Sequence, residues 1–132
     1  LYNVDRTRTF VSGHSRGGAM SVIAAFEMPE VFAGFCAQAG FADYNDYLAR
    51  MEKKAPELPF AAYILHGVAD PDVPVEASDN IAETMLASGW LEDETLIYNR
   101  LPGVTHRWQP QYNEQVWEFL STHPLPIAQA AE

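Results

Sequence analysis

Two hydrophobic habits alternate along this chain: short runs that are apolar residue after residue, and longer stretches with apolar residues three or four apart. Thr9-Phe10-Val11 opens the series as a short β-rich run that stops at Ser12-Gly13. Residues 16–28 are rich in Ala and Met and apolar on most sides, which predicts a buried helix; Pro29 closes it by disfavouring helical geometry at Met28. Residues 31–39 form a second apolar run, bounded by Gly40, and read as a buried strand. Tyr44, Tyr47, Leu48 and Met51 share one face of a helix over 43–54, which Pro56 and Pro59 end. A third strand over 60–65 leads into the turn-rich stretch 66–74. Ile81, Ala82, Met85 and Leu86 stripe a helix over 75–88, with Gly89 placed as its C-terminal cap. A fourth strand over 95–101 is broken by Pro102-Gly103, and a last helix covers 111–122 before Pro124 and Pro126. The Ala-rich end after that helix reads as frayed.

Strands and helices therefore take turns. The strands read as apolar throughout rather than alternating, which suits a mostly parallel sheet of about four strands with helices on both faces. No internal repeat or low-complexity linker divides residues 1–132, so the pattern is that of one domain. The net charge of −10 argues against nucleic acid or an anionic membrane surface as partner, because both need a basic patch. Cys36 is the one cysteine, sits in an apolar run and reads as a buried small hydrophobe. No apolar run reaches the ~20 residues of a membrane-spanning helix.

Chemistry enters at Gly13-His14-Ser15-Arg16-Gly17, which fits G-x-S-x-G between a strand and a helix. The bare pattern would arise by chance in about 1 in 20 chains of this length, so its place in the chain matters more than the match. A serine on a sharp strand-to-helix turn projects its hydroxyl above the sheet and sits at a helix N-terminus, where developing negative charge is favoured. Glycines two residues either side are expected because side chains there would collide with neighbouring backbone. The nucleophile is thus Ser15, and the backbone N–H of Arg16 is the first oxyanion donor.

The serine turn resembles that of α/β-hydrolases, in which an acid and then a histidine follow the serine along the chain. The resemblance implies an acid and a base on the loops after the two later strands. His66-Gly67-Val68-Ala69-Asp70-Pro71-Asp72-Val73-Pro74 follows the third strand, and its H-G-x-x-D-x-x-V-P pattern resembles the acid loop of α/β-hydrolase esterases and peptidases. Carried over, the acid is Asp70, with Asp72 as the nearby competitor. Gly103-Val104-Thr105-His106-Arg107-Trp108 follows the fourth strand, and its G-x-x-H-x-W pattern resembles the histidine loop of the polyhydroxybutyrate depolymerase and feruloyl esterase group. The lead-in Val4-Asp5-Arg6, the serine turn, the Ala-rich helix and Pro29-Glu30-Val31-Phe32-Ala33 resemble the same group. The resemblance implies a partial α/β-hydrolase fold with His106 as general base. Ester cleavage would pass through an acyl-enzyme intermediate on Ser15. His14 and Trp108 border the substrate in this reading, His66 is a structural hydrogen-bonder and His123 lies at the surface. No histidine pair has ligand spacing next to a carboxylate, so neither metal nor cofactor is inferred.

The second oxyanion donor should come from a loop upstream of the serine turn. About eight residues precede the first strand, so residues 1–132 are expected to be the C-terminal portion of a larger domain, partnered by its missing N-terminal strands. A serine peptidase of the prolyl-oligopeptidase type, whose acid and histidine loops look similar, stands as one alternative. A non-catalytic binding module on the same fold stands as the other.

Overall fold

The computed structural model describes residues 2–126. Four parallel strands lie side by side in chain order: β1 Phe10–His14, β2 Gly34–Gln38, β3 Ala61–Gly67 and β4 Leu96–Leu101. The helices α1 Arg16–Glu27, α2 Tyr47–Lys54 and α3 Glu76–Ala87 fill the crossovers, and α4 Asn113–Ser121 follows β4 after a short 3-10 turn at Pro110–Tyr112. Among the described residues no helix is long and apolar enough to cross a membrane.

Strand order that follows chain order dictates where the helices go. Right-handed crossovers made repeatedly in one direction deposit every connecting helix on the same face. Side-chain alternation then sorts the strand residues between two cores. Phe35, Ala62 and Ile64 join Val22, Phe26, Met51, Ile81 and Met85 under α1, α2 and α3. Cys36, Tyr63 and Leu65 join Val116 and Leu120 of α4 on the other face. Burial pushes the Cys36 thiol up to about 12, which keeps it protonated and inert.

The first core closes around three aromatic rings. Phe26, Phe60 and Trp90 have centroids 5.0 to 5.4 Å apart, in edge and tilted arrangements that ring quadrupoles favour. Trp90 is fully buried and donates its indole N–H to the Phe60 carbonyl at 2.7 Å.

The expected elements all form, with informative differences at their ends. Helix α2 starts at Tyr47 rather than 43, because Asn45 and Asp46 take left-handed backbone (φ 49° and 55°) that stops a right-handed helix from extending backwards. Tyr47 and Met51 are buried in the core, and Tyr44 stacks on Tyr47. Gly89 does sit just past α3, with φ +114°. Covering is uneven: β2 and β3 are buried along their whole length, whereas β1 is only half-buried. That departs from the uniform burial its apolar sequence predicted, since β1 lies at the end of the sheet. Trp117 rests edge-on against Phe10 at 5.9 Å yet is 56% exposed. The Ala-rich terminus falls outside the described residues.

Candidate active site at the carboxyl end of the sheet

Parallel strands send all their following loops to one end of the sheet. Ser15 follows β1, the 68–75 loop follows β3, and the 102–109 loop follows β4. Residues 91 positions apart in sequence thereby meet.

Ser15 holds φ 60° and ψ −117°, backbone that a residue with a Cβ adopts only under strain of about 1–3 kcal/mol. The turn is locked where it enters the sheet, as the Ser15 N–H donates to the Gln38 carbonyl at 2.8 Å. Gly13 is required: a Cβ there would overlap the Gly17 backbone. Gly17 is not required for the same reason, since a Cβ at that position meets nothing within 4 Å. The expected two-sided collision is one-sided, with Gly13 leaning on the backbone of Gly17. Gly18 fills the tight place instead, 3.0 Å (measured from its ideal Cβ) from both the Gln38 carbonyl and Gly40. The Arg16 N–H heads α1, where helix geometry supplies no carbonyl partner.

The structure brings Ser15, His106 and Asp70 into one line. His106 Nδ1 lies 2.7 Å from Asp70 Oδ2, and His106 Nε2 lies 2.9 Å from Ser15 Oγ. A carboxylate only accepts, so in the neutral ring Nδ1 carries the proton and Nε2 offers its lone pair to the Ser15 hydroxyl. Asp70 makes this contact and Asp72 does not: the Asp70 side chain is shut away from solvent, whereas Asp72 is exposed. Asp72 contributes its backbone instead, donating its N–H to Asp70 Oδ1 at 2.9 Å beside that of Val73, also at 2.9 Å. Burial by itself would raise the Asp70 pKa. The Val73 N–H, the His106 ring and the Asp72 N–H outweigh it and hold the carboxyl below its ordinary range. Asp70, Asp72 and His106 each bring one ligand-type atom to within 4.8 Å of the others. Both Asp70 oxygens and His106 Nδ1 are already engaged in hydrogen bonds, so a cation there would have to break them.

His14 packs at the site, its ring 4.7 Å from that of His106 and tilted by 44°. Burial and the neighbouring His106 both depress its pKa, favouring the neutral ring. Trp108 stands edge-on to His14 at 6.5 Å and is 39% exposed. His123 lies away from the site and spans two carbonyls, Phe119 at 2.7 Å and Glu94 at 2.9 Å.

Gln38 escaped the sequence reading. Its backbone carbonyl holds the serine turn, and its side-chain Oε1 accepts the Gln109 N–H at 2.8 Å, tying the histidine loop to β2. The available signal was an amide inside the otherwise apolar run 31–39. The acid and histidine loops are tied to each other as well, through Val68 N–H to Leu101 O at 2.9 Å and Ala69 N–H to Val104 O at 3.0 Å.

A parallel sheet with a serine turn after one strand and acid and histidine loops after the next-but-one and the last is part of an α/β-hydrolase fold. The family model for phospholipases and carboxylesterases matches residues 2–124, and the chain belongs to that family. Arabidopsis thaliana SOBER1 superposes with a TM-score of 0.74 at 18% identity, covering 91% of this chain and 55% of that one. A thermostable esterase gives 0.70 at 27% identity, covering 93% of this chain and 32% of its own. PHB depolymerase from Penicillium funiculosum gives 0.64 at 20% identity, with 79% and 41% covered. The chain thus spans 55% of SOBER1 and smaller shares of the other two. No curated protein matches it.

Proposed function

We propose that this chain carries the nucleophile, base and acid of a serine hydrolase acting on carboxylic esters. One observation carries the reading: the continuous Ser15–His106–Asp70 hydrogen-bonded line, at 2.9 and 2.7 Å, over a strained serine at a helix N-terminus. Ser15 Oγ attacks the ester carbonyl carbon as His106 Nε2 takes its proton; the same proton then goes to the departing alkoxide, leaving an acyl-serine. Water enters by the reverse sequence, releasing the acid and restoring the hydroxyl. Asp70 fixes the His106 tautomer and stabilises the imidazolium formed in each half. The Arg16 N–H receives the oxyanion, a contact of the kind worth about 10²- to 10³-fold in rate. His14 and Trp108 border the acyl or alcohol side. The membership in a phospholipase and carboxylesterase family favours ester over peptide substrates.

The working protein is completed, in this reading, by further strands of the same domain against the outer edge of β1. Among the described residues nothing pairs with that edge, and an exposed edge of this kind invites association. A cavity of about 540 Å³ beside it is lined by Phe10, Trp108 and Trp117, and the buried Gln38 Nε2 has no hydrogen-bond partner there. Those strands would bring the second oxyanion donor.

Fluorophosphonate labelling tests both parts. Labelling of the wild type and not of Ser15→Ala is expected, stronger when the completing strands are present; labelling that survives the substitution would sink the assignment of Ser15. Parallel rates on p-nitrophenyl esters and peptide anilides should favour the esters.

A further inference from the structure

His66 is a second imidazole beside Asp70, and the Ser15–His106–Asp70 line makes no use of it. The side chain is fully buried. Nδ1 lies 2.6 Å from the Ser78 hydroxyl in the first turn of α3. Nε2 lies 2.9 Å from the Val73 carbonyl and 3.3 Å from Asp70 Oδ2, the same oxygen that receives His106.

These distances fix the hydrogens. A carbonyl and a carboxylate are acceptors only, so a bare Nε2 would set lone pair against lone pair; Nε2 must carry a proton. In the neutral ring Nδ1 is then the acceptor and the Ser78 hydroxyl the donor. Val73 completes the circuit. Its carbonyl takes the His66 Nε2–H, while its own N–H goes to Asp70 Oδ1. A continuous strut therefore runs from α3 through Ser78, His66 and Val73 to the acid.

We propose that the Ser78–His66 pair is a positioning device for Asp70, fixing the acid loop to α3 and aiming Oδ2 at His106 Nδ1. The proposal rests on the hydrolase reading, since it gives Asp70 its task. His66 touches no substrate and acts through the carboxylate. A merely space-filling role would be served by leucine. Leucine, however, would leave the buried Val73 carbonyl without its donor and Oδ2 with one N–H partner nearby instead of two. The ionisable groups facing Asp70 are His106 from the loop after β4, His66 from β3, Asp72 from its own loop and, further off, His14 from β1.

The test uses the whole protein with His66→Leu, His66→Gln and Ser78→Ala. It reads the carboxyl-carbon NMR titration of Asp70 alongside kcat and KM on an ester. Losing the donor should move the Asp70 midpoint upward by about one unit. Misaiming the acid should lower kcat by about 10²-fold with KM little changed. Gln, whose amide can replace the Nε2 donor, should restore most of both, and Ser78→Ala should fall between. A folded His66→Leu protein with the wild-type Asp70 midpoint and kcat would overturn the proposal. If that variant does not fold, an unchanged Asp70 midpoint in Ser78→Ala does the same. The titration needs no turnover, so it stands apart from the labelling experiment: failure to label removes the hydrolase reading, whereas an unmoved midpoint removes only the strut.

Discussion

The α carbon of Gly67, at the end of β3, rests directly against the carbonyl of Val104 in the histidine loop. A Cβ placed on Gly67 would overlap that oxygen and come within 2.9 Å of the Thr105 carbonyl as well. Both obstacles are backbone, so no side-chain rotation can relieve them. The closeness lets the loops bearing Asp70 and His106 share hydrogen bonds, and it makes their separation a property of one hydrogen atom.

Gly67→Ala is accordingly expected to push the histidine loop away from the acid. A displacement near 1 Å at reacting groups costs about 10²-fold in rate. Ester turnover should fall by that order in protein that is still folded by circular dichroism, while Gly17→Ala, where a Cβ meets open space, should change rate far less.

Asp70→Asn should keep the geometry and lose the tautomer. An amide can present its N–H to His106 Nδ1, which places the ring proton on Nε2 and removes the lone pair that faces Ser15. The expected loss in kcat is about 10⁴-fold, with KM nearly unchanged; Asp72→Asn, whose side chain does not reach His106, should cost little. An Asp70→Asn enzyme with near-normal kcat would contradict the role given to the acid.

Relieving the strain at Ser15 should stabilise the fold. Glycine reaches φ 60°, ψ −117° without a Cβ clash, so Ser15→Gly is predicted to raise the midpoint of chemical unfolding by about 1 kcal/mol of stability while abolishing ester cleavage. Opposite movement of stability and activity is the outcome to look for in denaturation and turnover measured together.

Acid should weaken the protein through Glu27. Hydrogen bonds from Arg50 and Lys54 hold its carboxyl at about 2, against 4.5 for the free side chain. A group whose pKa is depressed on folding contributes stability above the unfolded value and loses it as pH falls through the folded one. The Glu27 contribution is therefore complete above about pH 4.5 and gone near pH 2. Thermal midpoints measured across that window should fall less steeply for Glu27→Gln than for the wild type, and salt should narrow the difference because the cluster faces solvent.

Trp90→Ala should be the costliest of the core changes, at about 3–5 kcal/mol, since it opens a cavity between Phe26 and Phe60 and leaves the Phe60 carbonyl without its indole donor. Equilibrium unfolding checks it; a loss near 1 kcal/mol would mean that the ring cluster collapses to fill the space.

Much of this was legible in the sequence, because its causes are local. Runs of apolar residues set the four strands, spacing of three and four set the helices, and prolines and Gly89 set their ends. The order of elements then fixes which loops share one end of a parallel sheet; the G-x-S-x-G turn singled out Ser15, and the resemblance of the two later loops to those of α/β-hydrolases singled out Asp70 and His106. What the sequence left open involves contacts between segments far apart in the chain. Asp70 and Asp72 differ only by two positions in a turn, and which one reaches His106 depends on where β4 places its loop. The role of Gln38 requires knowing that β1 and the histidine loop both lie against the end of β2. The glycine expectation failed at Gly17 for the same reason, since a collision belongs to a pair of segments and not to a motif. His66 could be seen as a hydrogen-bonder from its place in the loop, yet its partners Ser78 and Val73 are set by the packing of α3. Periodicity and turn chemistry act over a few residues and decided the elements. Close approach and hydrogen-bond pairing act across the sheet, and only the tertiary structure decided those.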